Sequence, residues 1–197
     1  MAPTGFVLAS SSPRRRELLR EAGYHFEIVE PPVEEPADLG LLCPREHAQA
    51  VAEFKACSVS AGRPDVAVLG ADTVVAALGR ILGKPADADE ARWMLRTLSH
   101  NRHSVITGVV LLGPGGRQVV AAEKTFVTMR PMTEQEIDGY IASGEWCGKA
   151  GAYAIQETAD RFITAVEGSF TNVVGLPMEL TARLLSEAGI LPGVARP

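Results

Sequence analysis

Val66-Ala67-Val68-Leu69-Gly70-Ala71-Asp72-Thr73-Val74-Val75-Ala76 is the most apolar run in the chain. Its length and its β-branched residues suit a strand covered on both faces, so it reads as the central strand of a sheet. Asp72 lies inside it. An ionised carboxylate buried alone is very expensive, so Asp72 must be paired, hydrogen-bonded or bound to a metal. A functional carboxylate and a structural bond to nearby backbone are the two readings of such a residue. Considered by itself, the nearly isosteric Asp72→Asn would hold or raise stability, because it removes a buried ion. Gly70, two residues earlier, lets a second backbone or a ligand come close.

A shorter apolar run, Phe6-Val7-Leu8, leads into Ser10-Ser11-Ser12-Pro13-Arg14-Arg15-Arg16. Ser12 suits an N-cap, and Pro13 suits the first helical position, where its missing N–H costs nothing. Leu18, Leu19 and Ala22 give the helix a buried face, and Gly23 is a stop. Strand, hydroxyl-rich turn and basic helix start together make an anion site, and phosphate is the commonest anion there. Cations near a helix N-terminus oppose its dipole by ~0.3–1 kcal/mol each. Three in a row imply a partner that offsets this; the alternative is a solvated basic turn.

Tyr24–Val29 reads as a second strand, and the prolines of Glu30–Pro36 make the next segment a loop that carries Glu35. Pro44 opens a helix to about Ser60, closed by Gly62, with Val51, Phe54 and Cys57 as its buried stripe. Lys55 lies only ~40° around that helix from Val51 and borders the apolar face. Gly79–Pro85 reads as a hairpin return that presents Lys84. Asp87–Leu98 is an amphipathic helix with Ala91, Met94, Leu95 and Leu98 inward. Val105–Leu112 and Val119–Met129 are long strands joined by a glycine-rich turn. His100 and His103 serve capping or packing rather than a metal. Thr133 and Glu136 form a capping box ahead of a short helix. Gly148–Gln156 is rich in small residues and then strand-like, ending at Gln156. Arg161–Val166 is another strand, Gly168–Pro177 a loop or helical turn, and Pro177 opens a last helix through Ala188.

The formal net charge is −5, which argues against nucleic acid or an anionic membrane as partner. No segment has 18 consecutive apolar residues, and no basic and then apolar leader opens the chain. The expectation is a cytoplasmic protein with no membrane contact. Cys43, Cys57 and Cys147 lack C-x-x-C spacing and read as reduced thiols. Without repeats or long linkers, residues 1–197 read as a single domain.

The segments S-S-S-P-R-R, G-A-D-T-V-V, G-K-P, H-x-V-I-T-G-V, K-A-G-A-Y-A-I-Q and G-S-x-x-N-V-V-G-L-P occur in that order. Together they resemble the Maf family of nucleoside triphosphate pyrophosphatases, over about Phe6 to Leu185. The resemblance implies an α/β fold similar to the inosine-triphosphate pyrophosphatase architecture: a mixed twisted sheet flanked by helices, with two lobes around a deep cleft. It implies hydrolysis of a nucleoside triphosphate to monophosphate and pyrophosphate with a divalent metal, Mg²⁺ or Mn²⁺, and a homodimer. By motif it makes Asp72 the catalytic aspartate, and Asp72 and Glu35 the metal ligands. Ser10, Arg14, Arg15, Lys55 and Lys84 would bind phosphate.

This chemistry suits the residues. Attack on the α-phosphorus needs a positioned water and cations to hold the leaving pyrophosphate. Arg makes bidentate phosphate contacts and Lys acts as a point charge. The residues leave open whether Asp72 is base, metal ligand or both. A nucleotide-binding regulator of cell division is the competing function, but a pure binder could dispense with Asp72. Arg14, Thr73 and Gln156 match the family branch that acts on dTTP and UTP; the branch that acts on 7-methyl-GTP differs at all three. A glutamine amide offers one donor and one acceptor, which together satisfy the N3–H and a carbonyl of uracil or thymine.

Overall fold

The computed structural model describes residues 5–32 and 43–193. Strand β1 (Phe6–Ala9) feeds through the three serines into helix α1 (Pro13–Glu21). There follow β2 (Phe26–Val29), α2 (Pro44–Ser60), β3 (Val68–Ala77), β4 (Arg80–Leu82), α3 (Ala88–Leu98), β5 (Arg102–Leu112) and β6 (Gln118–Met129). The last elements are α4 (Glu134–Ser143), β7 (Ile163–Glu167), α5 (Phe170–Val174) and α6 (Met178–Glu187). Among the described residues the strands form one seven-stranded sheet in the order β2-β1-β3-β5-β6-β7, with β4 paired to β3. β1 is parallel to β2 and β3, whereas β4 on β3 and β7 on β6 are antiparallel. The expected mixed sheet with helices is therefore present, and the most apolar run is an interior strand.

The chain divides into two compact units, in accord with the two expected lobes. The first comprises Met1–Asp72, Thr107–Glu123 and Gly175–Pro197, and the second Thr73–Ile106 and Lys124–Val174. In the first, α2 lies on the face of the sheet that carries Val7, Ala9, Val68 and Val110. Its buried residues are Ala48, Val51, Ala52, Lys55, Ala56 and Val59. This corrects the expected stripe: Phe54 is only half-buried and Cys57 is exposed. The reason is close packing of small residues. A Cβ built on Gly70 would overlap the Ala52 carbonyl oxygen and stand 2.9 Å from the Ala56 Cβ, and one on Gly108 would overlap the Ala48 carbonyl. The helix turns its alanines, not its largest apolar residues, toward the sheet. Gly70→Ala and Gly108→Ala should each destabilise by about 2–3 kcal/mol, because backbone must move to admit the methyl. Equilibrium urea unfolding reads this directly, and wild-type stability in either variant would contradict the packing.

The second unit is built as its sequence suggests up to Ser143. α3 buries Ala91, Met94, Leu95 and Leu98, and its N-cap Asp87 accepts from the Glu90 N–H at 2.8 Å. Thr133 and Glu136 form the capping box of α4. The core includes Leu82, Leu98, Met129, Tyr140 and Phe162. The strand-like reading of the segment ending at Gln156 is wrong. Gly148, Gly151 and Ala152 have φ of 68°, 69° and 64°. Left-handed residues so close together break an extended run. The segment forms a 3₁₀ turn (Ala150–Ala152) and then a turn that carries Gln156.

Candidate active site

Asp72 follows Gly70 by two residues, so its side chain projects from the face of β3 on which Gly70 leaves no side chain. That is the face on which α2 packs, with Ala52 and Ala56 against Gly70. Lys55, between those alanines, reaches Asp72, and its ammonium donates to Oδ1 at 2.6 Å. The two side chains are only 10% and 13% exposed. The charge that looked uncompensated in the sequence thus has its counterion, and the effect expected of Asp72→Asn on stability reverses. Neutralising Asp72 removes the charge that lies 2.6 Å from a nearly buried ammonium, which costs more than removing both charges.

A divalent metal at Asp72 is compatible with this arrangement. Mg²⁺ is usually held by one or two carboxylates together with waters and substrate phosphates, not by an all-protein cage. Among the described residues no group of three His, Cys, Asp or Glu side chains forms such a cage. Lys55 holds only Oδ1 of the carboxylate, and Oδ2 is a hard oxygen donor of the right type. Glu35, the other expected ligand, lies outside the described residues.

The parallel pairing of β1 and β3 places the expected anion turn beside this carboxylate's strand. Ala9 is opposite Gly70, and the chain then leaves the sheet at Ser10 to enter α1. The Ser10 hydroxyl, almost fully buried, accepts from the Ser12 N–H at 3.1 Å and from Arg15 Nη1 at 3.4 Å. With both lone pairs used, its own O–H is the donor it can offer. Ser12 has N-cap geometry, but its side chain makes no cap bond, so it leaves the first backbone N–H groups of α1 uncapped. The three arginines differ. Arg15 is buried, and its Nε donates to the Gly175 carbonyl at 2.8 Å. Arg16 donates to the Ser11 carbonyl at 2.7 Å and pairs with Glu30. Arg14 is half-buried and makes no hydrogen bond or ion pair among the described residues.

Thr73, Lys84 and Gln156 belong to the second unit. Thr73 continues β3 directly after Asp72. Lys84 is exposed just past β4. The Gly83 carbonyl accepts from the Gly151 N–H at 3.0 Å, which joins the G-K-P turn to the segment leading to Gln156. In that segment Tyr153, Ala154 and Ile155 are buried and Gln156 is exposed. Sequence reading missed what anchors these loops. Tyr153 shares a 2.8 Å hydrogen bond with His103 Nε2, and Asn172 Nδ2 donates at 3.0 Å to both the Val105 carbonyl and Thr125 Oγ1. Asn172 and Tyr153 both lie in the quoted motifs, which was the available signal.

Burial lowers the His103 pKa from 6.5 to about 4. Between those values the unfolded chain takes up a proton that the folded protein refuses. The contribution is complete above about pH 6.5 and is lost as pH falls toward 4, on the order of 3 kcal/mol in all. Wild type should therefore lose more stability than His103→Phe over this window in urea unfolding. Parallel pH profiles for the two proteins would contradict a neutral, buried imidazole.

Comparison with known proteins supplies the family. A model described as Maf-like protein matches residues 5–188. A dTTP/UTP pyrophosphatase of Pelotomaculum thermopropionicum is 48% identical over 184 residues, covering 93% of this chain and 96% of that protein. One from Caulobacter vibrioides is 43% identical over 191 residues, covering 97% and 99%. Among solved structures, a HAM1 protein from Coxiella burnetii aligns with a TM-score of 0.51 and 18% identity, covering 94% of this chain and 100% of that one, a likeness of fold. With its motifs in order, its sheet as expected and relatives matched end to end, this chain belongs to the Maf-like protein family.

Proposed function

We propose that this protein hydrolyses dTTP and UTP to the monophosphate and pyrophosphate, removing them from the nucleotide pool. The observation that carries the reading is the Asp72 carboxylate, held at one oxygen by Lys55, on the strand beside the β1–α1 anion turn. The names of the relatives, dTTP/UTP pyrophosphatases at 43–48% identity, support it.

In this reading the α1 N–H groups, Ser10, Arg14 and Arg15 receive phosphate oxygens. Asp72 accepts a proton from the attacking water, whose oxygen bonds to the α-phosphorus as the bond to the bridging oxygen breaks. Lys55 holds the carboxylate in place for that step through its 2.6 Å contact to Oδ1, in addition to the phosphate role expected of it. Lys84 stabilises the charge that grows on the departing pyrophosphate. A Mg²⁺ or Mn²⁺ ion bound by Asp72 and Glu35 would neutralise phosphate oxygens. Arg14, Thr73 and Gln156 select the base, with the Gln156 amide pairing to the pyrimidine edge. The resemblance supports a cytoplasmic homodimer, and no described helix is long and apolar enough to cross a membrane.

Pyrophosphate release across dTTP, UTP, CTP, GTP and 7-methyl-GTP, with Mg²⁺ and with Mn²⁺, tests the reading. It predicts dTTP and UTP as the best substrates and dependence on the metal. Tight dTTP binding without turnover would favour a regulator, and preference for 7-methyl-GTP would favour the other branch.

A further inference from the structure

Two polar residues of the K-A-G-A-Y-A-I-Q segment, Lys149 and Tyr153, have no part in the chemistry above. Both are tied to the frame around Gln156. Gln156, Glu157 and Thr158 are exposed in succession, so core burial does not hold them. Their backbone bonds, from the Glu157 N–H to the Ala154 carbonyl and from the Asp160 N–H to the Glu157 carbonyl, are long at 3.3 and 3.2 Å. Side chains supply the restraint. The Glu145 carboxylate accepts from the Thr158 N–H at 3.1 Å and from its hydroxyl at 2.7 Å. Lys149 donates to Glu157 Oε2 at 2.7 Å and also to the Glu145 carbonyl oxygen. The Lys149 side chain is 14% exposed and that of Glu157 37%, so the pair is sheltered on the lysine side and open to solvent on the carboxylate side. On the other flank, three residues before Gln156, the Tyr153 hydroxyl is bonded to His103. The ends of the 145–158 loop are therefore closed on each other, with Lys149 at the junction.

We propose that Lys149, through its ion pair with Glu157, is a positioning residue that fixes the turn carrying Gln156 and so sets base selectivity. The proposal rests on Gln156 reading the base. An amide that must match one donor and one acceptor tolerates little displacement, and misplacement by 1 Å costs up to ~100-fold in rate. A lysine that merely stabilised the fold would affect every substrate alike.

The test compares wild type with Lys149→Met, Lys149→Arg, Glu157→Gln and Gln156→Ala, measuring kcat and KM for dTTP and GTP together with Tm. Lys149→Met and Glu157→Gln should each lower the dTTP-over-GTP ratio of kcat/KM by ~10-fold, mainly through KM for dTTP. Lys149→Arg, which keeps the charge, should recover most of the ratio. Should Lys149→Met fail to fold, the exposed Glu157→Gln carries the test alone. Unchanged selectivity in the Lys149 and Glu157 variants, with selectivity lost in Gln156→Ala, overturns the positioning role alone. Unchanged selectivity in Gln156→Ala as well overturns base reading by Gln156 and the positioning role with it.

Discussion

Asp72→Asn should lower kcat at least ~100-fold, the scale on which loss of a general base is felt. It should also destabilise the protein, by about 2–3 kcal/mol. The second effect follows from Lys55, whose ammonium sits 2.6 Å from the carboxylate with both side chains nearly buried. An asparagine amide offers that ammonium an oxygen but no charge, and a buried cation that loses the charge beside it is more costly than an apolar side chain of the same shape. The double variant Asp72→Asn/Lys55→Met should therefore regain most of the lost stability while remaining inactive. This pairing separates the two roles of the carboxylate, because stability follows the sum of charges and turnover follows the base. A folded Asp72→Asn protein with near-wild-type kcat would remove Asp72 from the chemistry. Wild-type stability in that variant would deny the ion pair its importance.

Gln156→Glu should lower kcat/KM for dTTP by ~10³-fold, toward the ~10⁴ that sites with built-in hydrogen bonds can reach. A carboxylate accepts but does not donate, so it meets a pyrimidine carbonyl with like polarity. It suits guanine, whose N1–H and N2–H both donate, so the preference for 7-methyl-GTP over dTTP should rise. The 5-methyl of thymine is a small apolar addition, so dTTP and UTP should fall together. A flipped wild-type amide can still take cytosine, so wild type should reject CTP only weakly, and CTP should fall less because a carboxylate still accepts from its N4 amino group. Parallel steady-state assays of the two proteins on dTTP, UTP, CTP and 7-methyl-GTP decide it. An unaltered dTTP preference would leave Gln156 as no more than a turn residue.

How far the fold was legible in the sequence depended on whether local pattern or tertiary packing decided each element. The α3 face at Ala91, Met94, Leu95 and Leu98 follows from helical periodicity alone and is found unchanged. The capping box at Thr133 and Glu136 is a local device and behaves the same way. The α2 stripe was misplaced because periodicity favours the largest apolar residues. Here the glycines at 70 and 108, distant in sequence, admit alanines instead. The turn before Gln156 was misread because Ala152 adopts a left-handed conformation that its residue type does not announce. For the site, a carboxylate inside the most apolar strand pointed to Asp72 without a structure. Lys55 looked like a border lysine, and only the register of α2 against Gly70 makes it the partner. The anchoring roles of Arg15, Tyr153 and Asn172 needed coordinates, because each bonds a group that the sequence places far away.

Hydrolysis at the α-phosphorus of a pyrimidine triphosphate leaves an isotopic mark on one product alone. It is tested most directly by turning over dTTP in ¹⁸O-labelled water with Mg²⁺ and resolving the products by mass spectrometry. The expected products are dTMP and pyrophosphate, with the label in the dTMP phosphate. Release of dTDP and inorganic phosphate, or label found in pyrophosphate, would contradict it.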